Sequence, residues 1–146
     1  MAKTFSVEDG NLSSAITSSS RLKVFSDIDL TFSAKPSGEI YKKTGSAAVK
    51  QAVTNLILTN YGEKPFNPAF GADLRALLFE LADDDAEDDI EIQIASAIES
   101  YEPRAQTLNI QAIAAPDRNT ITVNVTFRVI STSEEVTLTK TLARLR

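Results

Sequence analysis

At residues 101–104 the hydrophobic period of this chain changes from helical to alternating, and the change falls on Tyr101-Glu102-Pro103-Arg104. Before it, Ile90, Ile94, Ala97, Ile98 and Tyr101 recur at helical spacing; after it, Leu108, Ile110 and Ala112 alternate with Asn109 and Gln111. Proline disfavours helical geometry in the residue before it and cannot continue a helical hydrogen-bond ladder. A helix must therefore stop and a strand begin at this point, with an acid and a guanidinium held on the stiff corner between them. The plain reading is a helix stop with a local ion pair, which at an exposed site contributes ~0–1 kcal/mol. The functional reading is a rigid recognition element, because arginine pairs with carboxylates and backbone oxygens through a planar fork.

Either side of the corner the pattern continues legibly. Residues 1–24 are rich in serine and poor in large apolar groups, which predicts a flexible, extended N-terminal arm ahead of a single domain at 25–146. Ile28, Leu30 and Phe32 alternate with Asp27, Asp29 and Thr31, as in a short half-buried strand, and Pro36-Ser37-Gly38 turns the chain. Ser46 is placed to cap a helix running to about Asn60, with Val49, Val53, Leu56 and Ile57 on its buried side and Gly62 as its C-terminal cap. The loop Glu63 to Gly71 carries Pro65, Phe66, Pro68 and Phe70, so it is expected to be ordered and packed under the helices. A short helix is predicted over Ala72–Leu81. The acidic run Asp83 to Asp89 reads as a capped, solvated start for the helix carrying Ile90; it lacks the alternating ligands and central glycine of a calcium loop.

Beyond Arg104 three alternating segments follow: Leu108 to Ala112, Ile121 to Val129, and Val136 towards Leu142, separated by turns at Pro116–Asn119 and Ser131–Glu134. They predict a three-stranded antiparallel meander at the C-terminal end, apolar on one face and covered there by about three helices. The fold class expected is α+β in one domain.

Composition narrows the chemistry. The chain has 146 residues, enough to bury a core without disulfides or metal. It contains no cysteine and no histidine, which removes thiolate nucleophiles, Ser-His and Cys-His arrangements and the usual metal ligands. No cofactor is expected. Twenty acidic against fifteen basic residues give a net charge of −5, which argues against nucleic acid as a partner. No apolar run approaches the ~20 residues of a membrane helix, and Met1-Ala2-Lys3-Thr4-Phe5 lacks a secretory apolar stretch. The expectation is a soluble chain made in the cytoplasm.

Four segments in order resemble the baseplate-wedge, sheath-initiator family of contractile phage tails, which has relatives in type VI secretion baseplates. They are Ser26 to Phe32; Val49 to Asn60 with Gly62-Glu63-Lys64-Pro65-Phe66-Asn67-Pro68, Phe70-Gly71 and Leu77-Leu78-Phe79-Glu80; Tyr101-Glu102-Pro103-Arg104, similar to the family's Glu-Pro-Arg signature; and Leu142-Ala143-Arg144-Leu145-Arg146. The resemblance covers about Phe25 to Arg146. Lys64 departs from it, standing where the family commonly has arginine, which keeps the charge and loses the planar fork.

The resemblance implies a structural, non-enzymatic role in the tail baseplate of a virion assembled in the bacterial cytoplasm, with six copies per ring. The partners it implies are the tail sheath protein and other baseplate wedge subunits. A meander that ends the domain leaves a strand edge able to accept an extended segment of another chain. Val136, Leu138, Lys140 and Leu142 are the expected docking strand, with Arg144 and Arg146 beyond it. Glu102, Pro103 and Arg104 are the expected contact with other wedge subunits. Two rivals stand beside this reading. One is a lysozyme-like glycoside hydrolase using two of Glu80, Glu99 and Glu102, since family members have carried that label. The other is a free-standing regulatory or chaperone-like binding module.

Overall fold

The computed structural model describes residues 25–79, 84–115 and 120–143. In chain order the elements are β1 (Ser26–Ile28), β2 (Lys42–Thr44), α1 (Ser46–Leu58), α2 (Leu74–Phe79), α3 (Asp84–Tyr101), β3 (Ala105–Ala115), β4 (Thr120–Val129) and β5 (Glu134–Ala143). β1 and β2 form a small hairpin, and β3-β4-β5 form the expected antiparallel meander. The chain is α+β, as its two hydrophobic periods predict. The N-terminal arm, the turn at 116–119, Glu80, Leu81, Arg144 and Arg146 lie outside the described residues.

β4 is the middle strand, and its alternation decides what is core. Val123, Val125, Phe127 and Val129 are fully buried, while the residues between them face the polar side. On that polar side, Thr122 faces Thr141, Thr126 faces Thr137, and Thr139 donates to the Asn124 side chain across the β4–β5 ladder at 2.8 Å. Val49, Val53, Leu56 and Ile57 of α1 and Ile90, Ile94 and Ile98 of α3 close the apolar side. The helical stripes read from the sequence are therefore the ones buried.

β3 keeps the alternation only by breaking it once. Thr107 pairs with Phe127 and Asn109 with Thr126, so Leu108 is an extra residue in a bulge. It swings outward, and the inward parity passes from Ala105 to Ile110 and Ala112.

Several boundaries differ from the sequence reading. Ser46 is the first residue of α1 rather than its cap; the cap position is Gly45, with φ 59°, and no side chain caps the helix. Gly62 does not end that helix either. Thr59 turns extended at the C-cap, and Gly62 (φ 80°) sits in the next turn, donating its N–H to the Pro68 carbonyl at 2.8 Å. α2 begins at Leu74 rather than Ala72, while α3, described from Asp84, takes in the acidic run read as its start. The Asp27–Phe32 strand stops at Ile28 because Thr31 turns back onto Asp29, whose carboxylate accepts the Thr31 N–H at 3.0 Å. That hydrogen bond, helped by Lys43, holds the Asp29 carboxyl below its ordinary value. Ile28, Leu30 and Phe32 are consequently exposed, not half-buried.

The loop after α1 is ordered, but only half of its aromatic content is packed. Phe70 meets Tyr101 edge-on at 5.2 Å, and the Lys64 ammonium lies 3.8 Å from the centre of the Phe70 ring. A point charge suffices for that contact, so the lysine in place of arginine costs it nothing. Phe66, at φ 64°, stands wholly in solvent instead of under the helices. Glu63 fastens the loop to the segment just after α1 by accepting from the Asn60 backbone and side-chain amides, which lowers its carboxyl pKa.

Gly71 lets this loop close. The Thr59 carbonyl accepts from Ala72 and Asp73, and a Cβ on Gly71 (φ +125°) would lie 2.3 Å from that same oxygen. Gly71→Ala therefore combines forbidden backbone geometry with a backbone clash. It is expected to destabilise the fold by about 2–3 kcal/mol, read from denaturant melts.

Candidate functional site

The Glu-Pro-Arg corner closes α3 onto β3. The Glu102 N–H continues the helix to the Ile98 carbonyl, and the Ala105 N–H bonds back to the Glu102 carbonyl at 3.0 Å. Pro103 stands exposed at the apex. Below it, Glu102 is 5% exposed and its carboxylate takes both Arg104 Nε, at 2.5 Å, and Nη2, at 2.6 Å. The Arg104 side chain is about one-third open to solvent, and its guanidinium also lies 5.1 Å from the centre of the Phe25 ring. The bond to Glu102 raises the guanidinium pKa, against a smaller opposing effect of burial.

The corner thus serves the fold as well as presenting charge. Glu102 is consumed inside the subunit, and what faces outward is the Pro103 ring and Arg104 Nη1, which has no hydrogen-bond partner among the described residues. The Arg104 carbonyl accepts the Ile130 N–H at 3.0 Å, which pins the start of the β4–β5 turn.

The docking strand expected from the sequence is β5. Val136, Leu138, Lys140 and Leu142 share the face turned to the core: Leu138 is 4% exposed, and the other three are half-buried. Their backbone groups face β4, with Leu138 opposite Val125 and Leu142 opposite Ile121. In an antiparallel ladder the intervening residues turn their N–H and C=O groups the other way. Glu135, Thr137, Thr139 and Thr141 therefore line the free margin. The Thr137 carbonyl confirms the direction, since it accepts the Lys50 ammonium of α1 at 3.0 Å. Val129 pairs with Ala105 on one side and Glu134 on the other, so corner and β5 start at the same end of the sheet, about 10 Å apart across β4.

The opposite margin of the sheet, along β3, carries residues that the sequence reading passed over. The Ala112 N–H donates to Glu91 at 2.9 Å and the Ala114 N–H to Glu87 at 2.7 Å. Gln51 is another: buried on α1, it holds the β1–β2 hairpin by donating to the Ile28 carbonyl at 2.7 Å and accepting from the Leu30 N–H. Gln51 lies about 200° round the helix from Val49, opposite the aliphatic stripe, so the hydrophobic periodicity offered no signal for its burial.

Among the described residues no group of three or more acidic side chains is placed to hold a metal ion, and no helix is long and apolar enough to cross a membrane. Of the carboxylates weighed for glycoside hydrolysis, Glu99 is exposed on α3 and Glu102 is spent on Arg104. Fold and site together make a half-wrapped sheet whose two margins differ in side-chain cover, with a locked ionic corner at one end. The family model described as Baseplate wedge protein gp25 matches residues 43–134, well over half of the chain. The chain belongs to this family, whose members are structural baseplate wedge proteins of contractile tails.

The Baseplate wedge protein gp25 of Enterobacteria phage T4 is 32% identical over 114 residues, covering 78% of this chain and 86% of the relative. Solved structures share the fold at lower identity. A Geobacter sulfurreducens protein bearing a tail-lysozyme name aligns with TM-score 0.61 at 20% identity, over 67% of this chain and 89% of its own. A chain of the anti-feeding prophage baseplate aligns with TM-score 0.61 at 18% identity, over 86% and 90%. A chain of the post-contraction pyocin R2 baseplate gives 0.52 at 18% identity, over 82% and 99%.

Arg104→Ala strands the Glu102 carboxylate in a buried place without its fork. It is expected to lower unfolding free energy by about 1–3 kcal/mol. Adding Glu102→Gln should recover part of that loss, because a neutral amide is less costly to bury alone. Urea unfolding of the four chains of this double-mutant cycle measures the coupling; strictly additive effects would contradict the pairing.

Proposed function

We propose that this baseplate wedge protein gives the tail sheath its first docking margin by accepting an extended sheath segment along β5. The observation that carries the reading is the asymmetry of the two sheet edges. Among the described residues, the outward N–H groups of Thr137, Thr139 and Thr141 meet no side-chain acceptor, whereas those of Ala112 and Ala114 are already taken. Backbone pairing along an open margin supplies affinity, and alternate side chains set register. Arg144 and Arg146 continue the chain beyond β5 and would meet acidic surface on the sheath side.

The Glu102-Pro103-Arg104 corner would face other wedge subunits, with the Glu102 carboxylate orienting Arg104 for a contact across the interface. Its place beside the start of β5 would let one end of the sheet meet both kinds of partner. Six copies would stand around the tail tube, in keeping with the sixfold symmetrised anti-feeding prophage baseplate that holds a chain of this fold. The site of action is the virion tail baseplate, assembled in the host cytoplasm. Residues 1–24 form a separate arm in this reading, ahead of the domain at 25–146.

Thr139→Pro tests the docking step. It deletes an outward N–H in the middle of the margin and leaves the β4 ladder its donors; edge strands tolerate proline on that side. The variant is expected to keep its circular dichroism and enter the baseplate while sheath polymerisation fails to start. Electron microscopy of the unmodified tail should show a fourth strand beside β5. Sheath assembly unimpaired by the proline, with β5 unpaired in the particle, would refute strand addition.

A further inference from the structure

We propose that Glu87 and Glu91 decide which margin of the sheet accepts a partner strand, by occupying two outward N–H groups of β3, those of Ala112 and Ala114, and leaving β5 as the more available edge. The inference rests on the strand-addition reading of β5 and adds to it the residues that set its direction.

A three-stranded open sheet has two edges, and each is a template for pairing. In β3 the residues Ala112 and Ala114 turn their backbone groups away from β4, and each N–H meets a carboxylate oxygen of α3 at 2.9 and 2.7 Å. The match is geometric. Four residues of helix rise about 6 Å and two residues of strand about 6.8 Å, so carboxylates at i and i+4 fall over alternate strand residues. α3 runs antiparallel to β3, with Glu91 over Ala112 and Glu87 over Ala114. Alanine at 112 and 114, on the face turned to the helices, leaves room for the helix at this distance. An approaching strand meets carboxylate oxygens, which accept, where its own carbonyls would need donors.

β5 is treated differently. Its one side-chain cover among the described residues is Lys50 on the Thr137 carbonyl. That ammonium blocks an acceptor and leaves the donors free. The two margins are therefore distinguished by sign: anions hold two donors of β3, and a single flexible cation rests on an acceptor of β5.

Loss of both carboxylates would give the subunit two usable edges, and a subunit with two complementary margins can chain onto itself. Sedimentation velocity of the full chain and of Glu87→Ala/Glu91→Ala, over a concentration series, reads this directly. The variant is expected to self-associate beyond the unmodified protein. Adding Ala114→Pro, which deletes one outward donor of β3, should reverse the association, and so should Thr139→Pro, which deletes one of β5, because each contact joins one edge of each kind. A well-folded variant that sediments like the unmodified protein overturns the proposal, as does association abolished by Thr139→Pro and untouched by Ala114→Pro.

Amide exchange on the unmodified protein provides a reading that does not depend on a variant's folding. The Ala112 and Ala114 amides should exchange at least about tenfold more slowly than those of Thr139 and Thr141. Equal rates would overturn the assignment. Neither measurement involves sheath, so a failure here is distinct from a failure of docking at β5.

Discussion

Burial of β4 between two strands and beneath two helices is the constraint from which the remaining geometry follows. Phe127, Val123, Val125 and Val129 are sealed from water, and each such side chain contributes about 1.5–3 kcal/mol when fully buried. A strand held on both sides cannot shift register by one residue without moving every one of these groups to the polar face. The positions of β3 and β5 are thereby fixed, and with them which backbone groups face outward. α1 and α3 lie where they do because Val49, Val53, Ile94 and Ile98 have no other apolar surface of that size to cover.

The sheet has an odd number of strands and two margins, and the helices that complete the core treat those margins unequally. α3 leaves the sheet through the Glu-Pro-Arg corner, so it must lie against the strand that follows it. That adjacency brings Glu87 and Glu91 over β3. α1 reaches the far side with a single lysine. The difference in side-chain cover between the two edges thus follows from one tight connection.

Much of this was legible in the sequence. The period change at Tyr101-Glu102-Pro103-Arg104 gave the helix-to-strand corner, and the alternation from Ile121 to Val129 gave the central strand and its buried face. The stripe from Ile90 to Tyr101 identified α3. Local geometry was harder to read, because it depends on backbone hydrogen bonds that leave no periodic trace. Gly45 rather than Ser46 begins α1 through a positive φ, and the strand at Asp27 is cut short by a side-chain turn at Asp29. The bulge at Leu108 hid inside an apparently regular alternation. At the candidate site, β5 and the corner could be named, but Glu102's commitment to the interior could not, since a carboxylate beside a proline looks the same whether buried or bare. Glu87 was read as part of a solvated acidic run. Its target, a strand edge 27 residues away, becomes visible only when α3 is laid against β3.

The threonine rows on the outer side of β4 and β5 have one further effect. Thr122 with Thr141, Thr126 with Thr137, and Asn124 with Thr139 tie their polar groups to one another. A surface already satisfied in this way has little thirst for hydrogen bonds and little grease to offer. Over β4 and β5 the plane of the sheet therefore offers fewer unpaired polar groups than its rim does.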